Sequence, residues 1–397
     1  MADNKITLPG PMPVSSRVKT IGAAMLFLGL ITFGVMLMRD KERAWHAYLA
    51  GYFYFAALAL GGLFFASIQF LTKAGWSVNI RRFSECLTAY LPVAGLGAVI
   101  LFAAGPNLYE WLDKATVAAD PLLQHKEGYL NQTFFWIRTL LFFGLWMFFA
   151  AKLVGGSVAQ DKSGDENITK RSVGYSIGFL LTFAISFSLF SVDLLMSLEP
   201  HWFSTIFGVY CFAGLFQSTL ATMILLIIYS MKKGYLKGVV DENHLHDLGK
   251  FLFAFTVFWA YIAFSQFMLM WYANMPEETI FFIPRMTGSW TYVSLGLIIF
   301  KFVVPFLALL PRWAKRTPNH LAAVSILILA TAYLDLYWLI YPTYNEEQVV
   351  FGLPEILIWG GFAGAFMLSI FRFLGKNNMV PVKDPRISES LHHHVVY

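Results

Sequence analysis

Residues 251–270 read FLFAFTVFWAYIAFSQFMLM and contain no charged side chain. An α-helix crosses the hydrocarbon core of a bilayer with about 20 apolar residues. A membrane-spanning β-strand needs about 10 residues and alternates between apolar and polar side chains. This stretch has the helical length and does not alternate, so it predicts a membrane-spanning helix.

The rest of the chain repeats this pattern. Of its 397 residues, 57% are hydrophobic and 13% are charged, against roughly 45–50% and 25% in soluble domains. These proportions exclude a soluble cytoplasmic enzyme. We predict an all-α integral membrane protein with ten transmembrane helices, at residues 18–38, 48–71, 87–105, 133–154, 174–198, 203–231, 249–272, 289–311, 320–341 and 353–374.

Lysine and arginine concentrate on the side of the predicted membrane that carries the two chain ends. Cytoplasmic loops of membrane proteins carry an excess of these residues, so we predict that both termini are cytoplasmic. The net charge of +5 then follows from membrane topology and does not indicate a nucleic-acid partner.

Two pairs of helices share short sequence patterns. Residues 51–56 read GYFYFA and residues 208–213 read GVYCFA, while Asp193-Leu and Asp335-Leu are each followed by proline seven residues after the aspartate. We predict a duplication with two tandem four-helix bundles, helices 2–5 and helices 6–9, flanked by helices 1 and 10. Chance similarity in a biased composition is the alternative.

The predicted organisation divides the chain into six segments. They are a cytoplasmic tail at 1–17, the first helix with an outer loop at 18–47, the first bundle at 48–198, the second bundle at 199–341, an outer loop with the tenth helix at 342–374, and a cytoplasmic tail at 375–397.

Ionisable residues inside a membrane are costly and are therefore candidates for function. Arg138 and Asp193 lie at a similar depth near the outer ends of helices 4 and 5, so we expect them to face one another. The alternative is an ion pair that only holds two helices together.

The second bundle offers Lys301, Asp335 and Gln266 within its predicted spans. Lys301 and Asp335 differ in depth by roughly 9 Å, a gap that the lysine stem and one water would bridge. We interpret them as the centre of a proton path. A mid-span glutamine such as Gln266 joins that path or is a helix-to-helix contact.

Polar clusters at the two membrane edges complete the hypothesis. On the cytoplasmic side, His246, Asp247 and Lys250 are candidates for proton uptake, the alternative being a solvated helix start. On the outer side, Glu199 and His201 are candidates for a proton exit or for contact with a quinol head group.

The sequence offers few ligands for cofactors. None of the nine histidines lies in the middle of a span, so a transmembrane haem has no axial ligand. The cysteines, Cys86 and Cys211, are too few for an iron–sulfur cluster, and no nucleotide-binding GxxxxGK[ST] segment occurs. We predict no metal site and no cofactor bound by this chain alone.

Three segments carry a family resemblance: SVDLLMSLEPHWFSTIFG at 191–208, LGKFLFAFT at 248–256 and FSQFMLMWYANMPEE at 264–278. They resemble the ActF subunits of bacterial alternative complex III, a quinol oxidoreductase, and so the membrane subunits called polysulfide-reductase-like or NrfD-like. The resemblance implies a bacterial inner-membrane location. It also implies partners: a multihaem cytochrome c and an iron–sulfur subunit that hold the haems and clusters, a sister NrfD-like membrane subunit, and lipids.

Several functions are compatible with these observations. The first is a subunit, not catalytic alone, that contributes a proton path or energy coupling to a respiratory quinol oxidoreductase. The second is a second quinone-binding subunit, with quinone or lipid as ligand. Related quinol sites use a histidine with a carboxylate, whereas the first bundle has Asp193 without an intramembrane histidine. A secondary transporter and a purely structural scaffold are the remaining alternatives.

Overall fold

The computed structural model of the protein describes residues 8–394. Within that range the chain is helical and contains no strand, which confirms the all-α prediction. Ten helices in the described chain are long and apolar enough to span a membrane: α1 (Ser16–Arg39), α2 (Lys41–Leu71), α3 (Gly75–Leu101), α4 (Gln132–Ser163), α5 (Glu166–Leu198), α6 (Phe207–Lys232), α7 (Glu242–Ala273), α8 (Trp290–Leu309), α9 (Pro318–Thr343) and α10 (Leu353–Leu374).

Several helices are longer than the apolar stretches that predict them. Hydropathy marks the part of a helix that lies in lipid, whereas the backbone hydrogen bonds continue until a capping residue ends them. The predicted outer loop after the first helix is wrong, because a single residue, Asp40, separates α1 from α2. The Asp40 side chain caps α2 by accepting a hydrogen bond from the Arg43 backbone N–H at 3.0 Å.

The helices pack in the two predicted groups. In the first, α2 packs against α3 and α5, and α4 lies against α3 and α5; in the second, α6 packs against α7 and α9, and α8 lies between α7 and α9. The innermost helices, α2 and α6, contact each other and join the groups. The two bundles therefore meet along α2 and α6.

Helices α1 and α10 lie beside this core. α10 packs on α2 and α3, and α1 packs mainly on α10. Glycines allow this close approach, since a Cβ on Gly29 would lie 2.4 Å from the Gly361 Cα. The rest of α1 presents its apolar side chains outward, as expected for a helix in lipid.

Both ends of the described chain lie on one face, which we call the terminal face. The Met12 N–H donates to the Leu374 carbonyl at 2.8 Å, and the segment after α10 packs on that face through Asp384 and Ser390. The opposite face, the distal face, carries the long connection between α3 and α4. Trp111 of this connection donates to the Ser197 carbonyl at 3.1 Å and covers the end of α5.

Helix α8 contains an irregular turn. Residues Ile298–Val303 form a π-helical segment, and Pro305 follows it. Proline has no N–H to donate, and its ring clashes with the carbonyl four residues earlier, which here belongs to Lys301. The wider π turn accommodates that clash, and such turns occur often at functional sites.

Candidate functional site

The predicted contact between Arg138 and Asp193 is confirmed. Arg138 Nε lies 2.8 Å from Asp193 Oδ2, and Nη2 lies 2.9 Å from Oδ1. The two parallel hydrogen bonds are the strong bidentate arrangement of guanidinium and carboxylate. Both side chains are buried, so the pair joins α4 to α5 out of contact with lipid.

Further contacts hold Arg138 in one position. Its Nη1 donates to the Tyr129 carbonyl at 3.0 Å. The guanidinium carbon lies 3.9 Å from the centre of the Tyr129 ring and 4.3 Å from that of Phe134. A cation with this many fixed contacts has little freedom to move, which suits a structural ion pair better than a group that passes protons.

Lys301 and Asp335 also meet in the second bundle. Lys301 Nζ lies 2.5 Å from Asp335 Oδ2, and both side chains are buried. The prediction of a bridging water is wrong, because the two groups are in direct contact. The depth estimate assumed regular parallel helices, whereas Lys301 lies in the π-helical turn of α8.

Asp335 receives two further hydrogen bonds that sequence reasoning missed. The Tyr210 hydroxyl of α6 donates to Oδ1, and the Trp259 indole N–H of α7 donates to Oδ2 at 3.2 Å. Lys301 Nζ also lies 4.5 Å from the centre of the Trp259 ring. Asp335 is therefore held by side chains from each of the other three helices of its bundle.

A signal for Tyr210 was present in the duplicated pattern. Residue three of GVYCFA is Tyr210, whereas residue three of GYFYFA is Phe53. The second copy thus has a hydroxyl where the first has none. A buried tyrosine usually finds a partner for that hydroxyl, and here the partner is Asp335.

A small cavity lies beside this ion pair. Its volume is about 30 Å³, and Phe53 and Ala57 of α2 and Gly214 of α6 line it together with Lys301 and Asp335. A cavity needs about 10–15 Å³ to hold one water, so this one has room for a water that touches the charged groups. The cavity lies at the interface between the two bundles.

The candidates for proton uptake form a cluster at the terminal face. Asp247 Oδ1 lies 2.6 Å from Lys250 Nζ, and Oδ2 lies 2.6 Å from Nε2 of His393 in the C-terminal segment. His246 is buried beside them. The C-terminal segment therefore partly covers this cluster, which is not the fully solvated helix start of the alternative reading.

The structure does not bring this cluster into contact with the ion pair. Between them lie the uncharged side chains of Gln217 and Thr256, which are joined by a hydrogen bond of 3.0 Å. Both are buried. They are the polar groups that a path through the interior of the second bundle would use.

Glu199, a candidate on the distal face, is already paired. Its Oε1 lies 2.6 Å from Nη2 of Arg285. The Arg285 guanidinium also donates to three backbone carbonyls, those of Phe281, Trp338 and Leu339. Burial lowers the pKa of the Arg285 guanidinium, and the charge of Glu199 opposes that effect. Sequence reasoning missed Arg285 because, in the sequence, it looks like an ordinary loop cation.

His201 lies in a more open position. Its Nε2 lies 2.5 Å from Asp120 Oδ2, and its Nδ1 lies 3.7 Å from Glu110 Oε1. Burial raises the pKa of Glu110, although His201 opposes this. For Asp120, desolvation alone would raise the pKa. Hydrogen bonds from His201 and from backbone N–H groups outweigh desolvation, so the pKa of Asp120 lies below its usual value. Glu110 and His201 border a cavity of about 250 Å³ that also contacts Glu199.

Gln266 lies apart from the ion pair. It borders a separate apolar cleft between α7 and α8, whose wall includes Tyr210 and Trp259. Two aromatic side chains thus stand between the cleft and Asp335.

A buried charge cluster at the terminal face was missed. Glu85 of α3 lies 3.1 Å from Arg81 and 2.9 Å from Arg82. Arg81 also contacts Asp384 at 2.7 Å, and Arg82 contacts Asp161 at 2.9 Å. In the sequence these side chains look like solvated charges at a membrane edge.

A similar ion pair lies at the distal face. Glu355, at the start of α10, is fully buried and lies 2.7 Å from Arg43 of α2. The Tyr341 hydroxyl donates to it at 3.1 Å. The pair attaches α10 to the core, so Glu355 has the structural role that its helix-start position did not indicate.

No protein-family model matches this chain, and no curated protein matches it. Among residues 8–394, no group of three or more His, Cys, Asp or Glu side chains could hold a metal ion. A functional interpretation therefore depends on the geometry of the buried polar groups.

Proposed function

We propose that this chain is a membrane subunit of a quinol oxidoreductase of the alternative complex III type and that it contributes a proton path rather than electron transfer. The observation that carries the proposal is Asp335, a buried carboxylate held by Lys301, Tyr210 and Trp259 beside a cavity large enough for water.

The chemistry of this group suits proton transfer. A carboxylate inside a membrane is costly when charged, and burial disfavours the charged forms of a carboxylate and a lysine alike. A proton shared among Asp335, Lys301 and the Tyr210 hydroxyl relieves that cost. Lysine has a flexible stem and three donors, whereas the Arg138 guanidinium is fixed by its bidentate contact and two aromatic rings.

In this proposal the terminal face is cytoplasmic and the membrane is the bacterial inner membrane. Protons enter near His246, Asp247 and Lys250 and leave near the distal cavity at Glu199 and His201. Electrons pass through haems and iron–sulfur clusters in partner subunits, namely a multihaem cytochrome c and an iron–sulfur protein, beside a sister NrfD-like membrane subunit.

The geometry does not favour a transporter built from the two bundles. Such transporters place helix breaks at matching positions of their repeats. Here α8 contains the π turn, whereas its counterpart α4 runs as one regular α-helix from Gln132 to Ser163.

The test uses the whole complex reconstituted in sealed vesicles, with Asp335→Asn as the main variant and Tyr210→Phe as a second. Both keep the shape of the side chain and remove a group that can pass a proton. We expect quinol oxidation to continue and proton translocation to be lost in Asp335→Asn and reduced in Tyr210→Phe.

The matched control is Glu242→Gln, which makes the same chemical change in an exposed carboxylate at the start of α7. It should leave proton translocation unchanged. An unchanged ratio of protons to electrons in an assembled Asp335→Asn complex would refute the proton path.

A further inference from the structure

A deep apolar cleft lies between α7 and α8 on the outside of the second bundle. Its volume is about 570 Å³, within the range of about 300–1,000 Å³ that is typical of sites for small ligands. Tyr261, Phe264 and Ile298 border the cleft and are exposed. Because these side chains face the lipid, the cleft opens sideways into the membrane.

A polar side chain that borders the cleft carries an atom without a partner. Gln266 is only 7% exposed, and its Oε1 finds no hydrogen-bond donor among residues 8–394. A buried acceptor without a donor costs free energy, and each such group in a native structure calls for an explanation. Ser294, which also borders the cleft near its distal end, already has partners. Its hydroxyl accepts a hydrogen bond from the Trp338 N–H at 2.7 Å and donates one to the Arg285 carbonyl at 2.6 Å.

Polarity changes along the cleft. Gln266 lies seven residues before the end of α7 at Ala273, which places it about 10 Å from the distal end of the helix. Trp259 and Phe302, at the other end, lie deeper in the membrane and are aromatic. A lipid in the distal leaflet has the same order, with its polar part near the surface and its chain toward the middle.

We propose that this cleft binds a neutral amphiphile from the distal leaflet. The Gln266 amide turns toward the cleft so that a head-group hydroxyl donates to its Oε1, and the chain of the amphiphile lies along Trp259 and Phe302. Within the described residues 8–394, those that border the cleft include no charged side chain. A phosphate head group would need a cation there, so the chemistry favours an uncharged hydroxyl.

Two membrane components share that chemistry: a prenylated quinol and an uncharged glycerolipid such as a diacylglycerol. Both place a hydroxyl at the head of an apolar chain. The inference concerns binding alone and does not depend on a proton path through Asp335, although Tyr210 and Trp259 separate the two sites by one layer of side chains.

The experiment uses the full chain in its native assembly, placed in lipid nanodiscs. The probe is a 1,4-hydroquinone with a decyl chain that carries a photoactivatable diazirine, and labelled peptides are identified by mass spectrometry. We expect labelling of α7 and α8 at residues that border the cleft.

Two variants test the site. Gln266→Leu removes the acceptor and keeps the approximate volume, and should weaken labelling about three- to tenfold, the effect of one lost hydrogen bond. Ala263→Phe fills the cleft and should abolish labelling. Gln217→Leu is the matched control, because Gln217 is buried with an unpartnered Oε1 as well but does not border the cleft. Its labelling should equal that of the unaltered protein.

Competition identifies the source of the ligand. Suppression of labelling by an unlabelled decyl hydroquinone alone supports a quinol, suppression by dioleoylglycerol alone supports a glycerolipid, and suppression by both supports the shared hydroxyl chemistry. Labelling that neither Gln266→Leu nor Ala263→Phe reduces, in assemblies that elute like the unaltered one, would overturn the proposal.

Discussion

The ion pair between Arg138 and Asp193 makes a quantitative prediction about stability. Asp193→Leu removes the carboxylate and leaves the Arg138 cation buried with a backbone carbonyl and two aromatic rings as its remaining contacts. Arg138→Met leaves the carboxylate without its two guanidinium donors. Breaking a buried pair from either side costs about 3–5 kcal/mol, because an uncompensated charge stays in the interior.

The double variant Arg138→Met/Asp193→Leu removes both charges of this pair. Replacing a buried pair by apolar side chains of similar volume is often neutral or stabilising, so the double variant should be more stable than either single variant. The coupling free energy should therefore be about 2–3 kcal/mol or more, as expected for residues in direct contact.

The assay is equilibrium unfolding of the purified chain in mixed detergent micelles, with the fraction of dodecyl sulfate as the denaturing variable. The control cycle uses Arg316 and Glu242, which lie 2.6 Å apart at the terminal face but are partly exposed. Such a surface pair contributes about 0–1 kcal/mol. Single-variant losses that add in the double variant, or losses no larger than those of the control pair, would refute the argument.

Two further predictions concern helix packing and a helix cap. Gly29→Leu should separate α1 from α10, because its side chain would overlap the backbone at Gly361; Gly34→Leu, with open space around it, should be harmless, and protease accessibility of α1 distinguishes them. Asp241→Ala should destabilise the start of α7 by about 0.5–2 kcal/mol. Desolvation raises the Asp241 pKa, but hydrogen bonds, chiefly from His244, outweigh it and lower that pKa. The stability lost in Asp241→Ala should have its full size above pH about 4 and shrink as the pH falls further. Parallel thermal melts of the two proteins from neutral pH to about pH 3 check this. A stability difference that does not change with pH would contradict it.

The contact between Arg138 and Asp193 could be predicted because each residue lies about five residues inside the outer end of its predicted span, in adjacent helices. Position along a helix gives depth directly, and two charges at one depth have few other places to go. The direct contact of Lys301 with Asp335 could not be predicted in the same way. It depends on the π turn around Lys301, which the position of Pro305 suggests only once the helix is seen to continue through it.

The partners of the charged residues at the membrane edges could not be predicted. The sequence makes Glu199 a candidate for a proton exit or for contact with a quinol head group and does not single out Arg285, yet the two form one ion pair. Glu85 and Glu355 are fully buried. In a sequence, a carboxylate at the end of an apolar stretch looks the same whether water or another helix covers it.

Hydropathy along the sequence is enough to predict that the described chain spans a membrane as a bundle of helices, because each residue's transfer between water and lipid is a local property that adds along a segment of about 20 residues. Which polar groups meet depends on how the helices pack. Tyr210 and Trp259 are separated from Asp335 by 125 and 76 residues, and the cleft at Gln266 exists only between two packed helices. Hydropathy reports how deep a side chain lies, whereas its partner depends on how each helix is turned and on what packs against it.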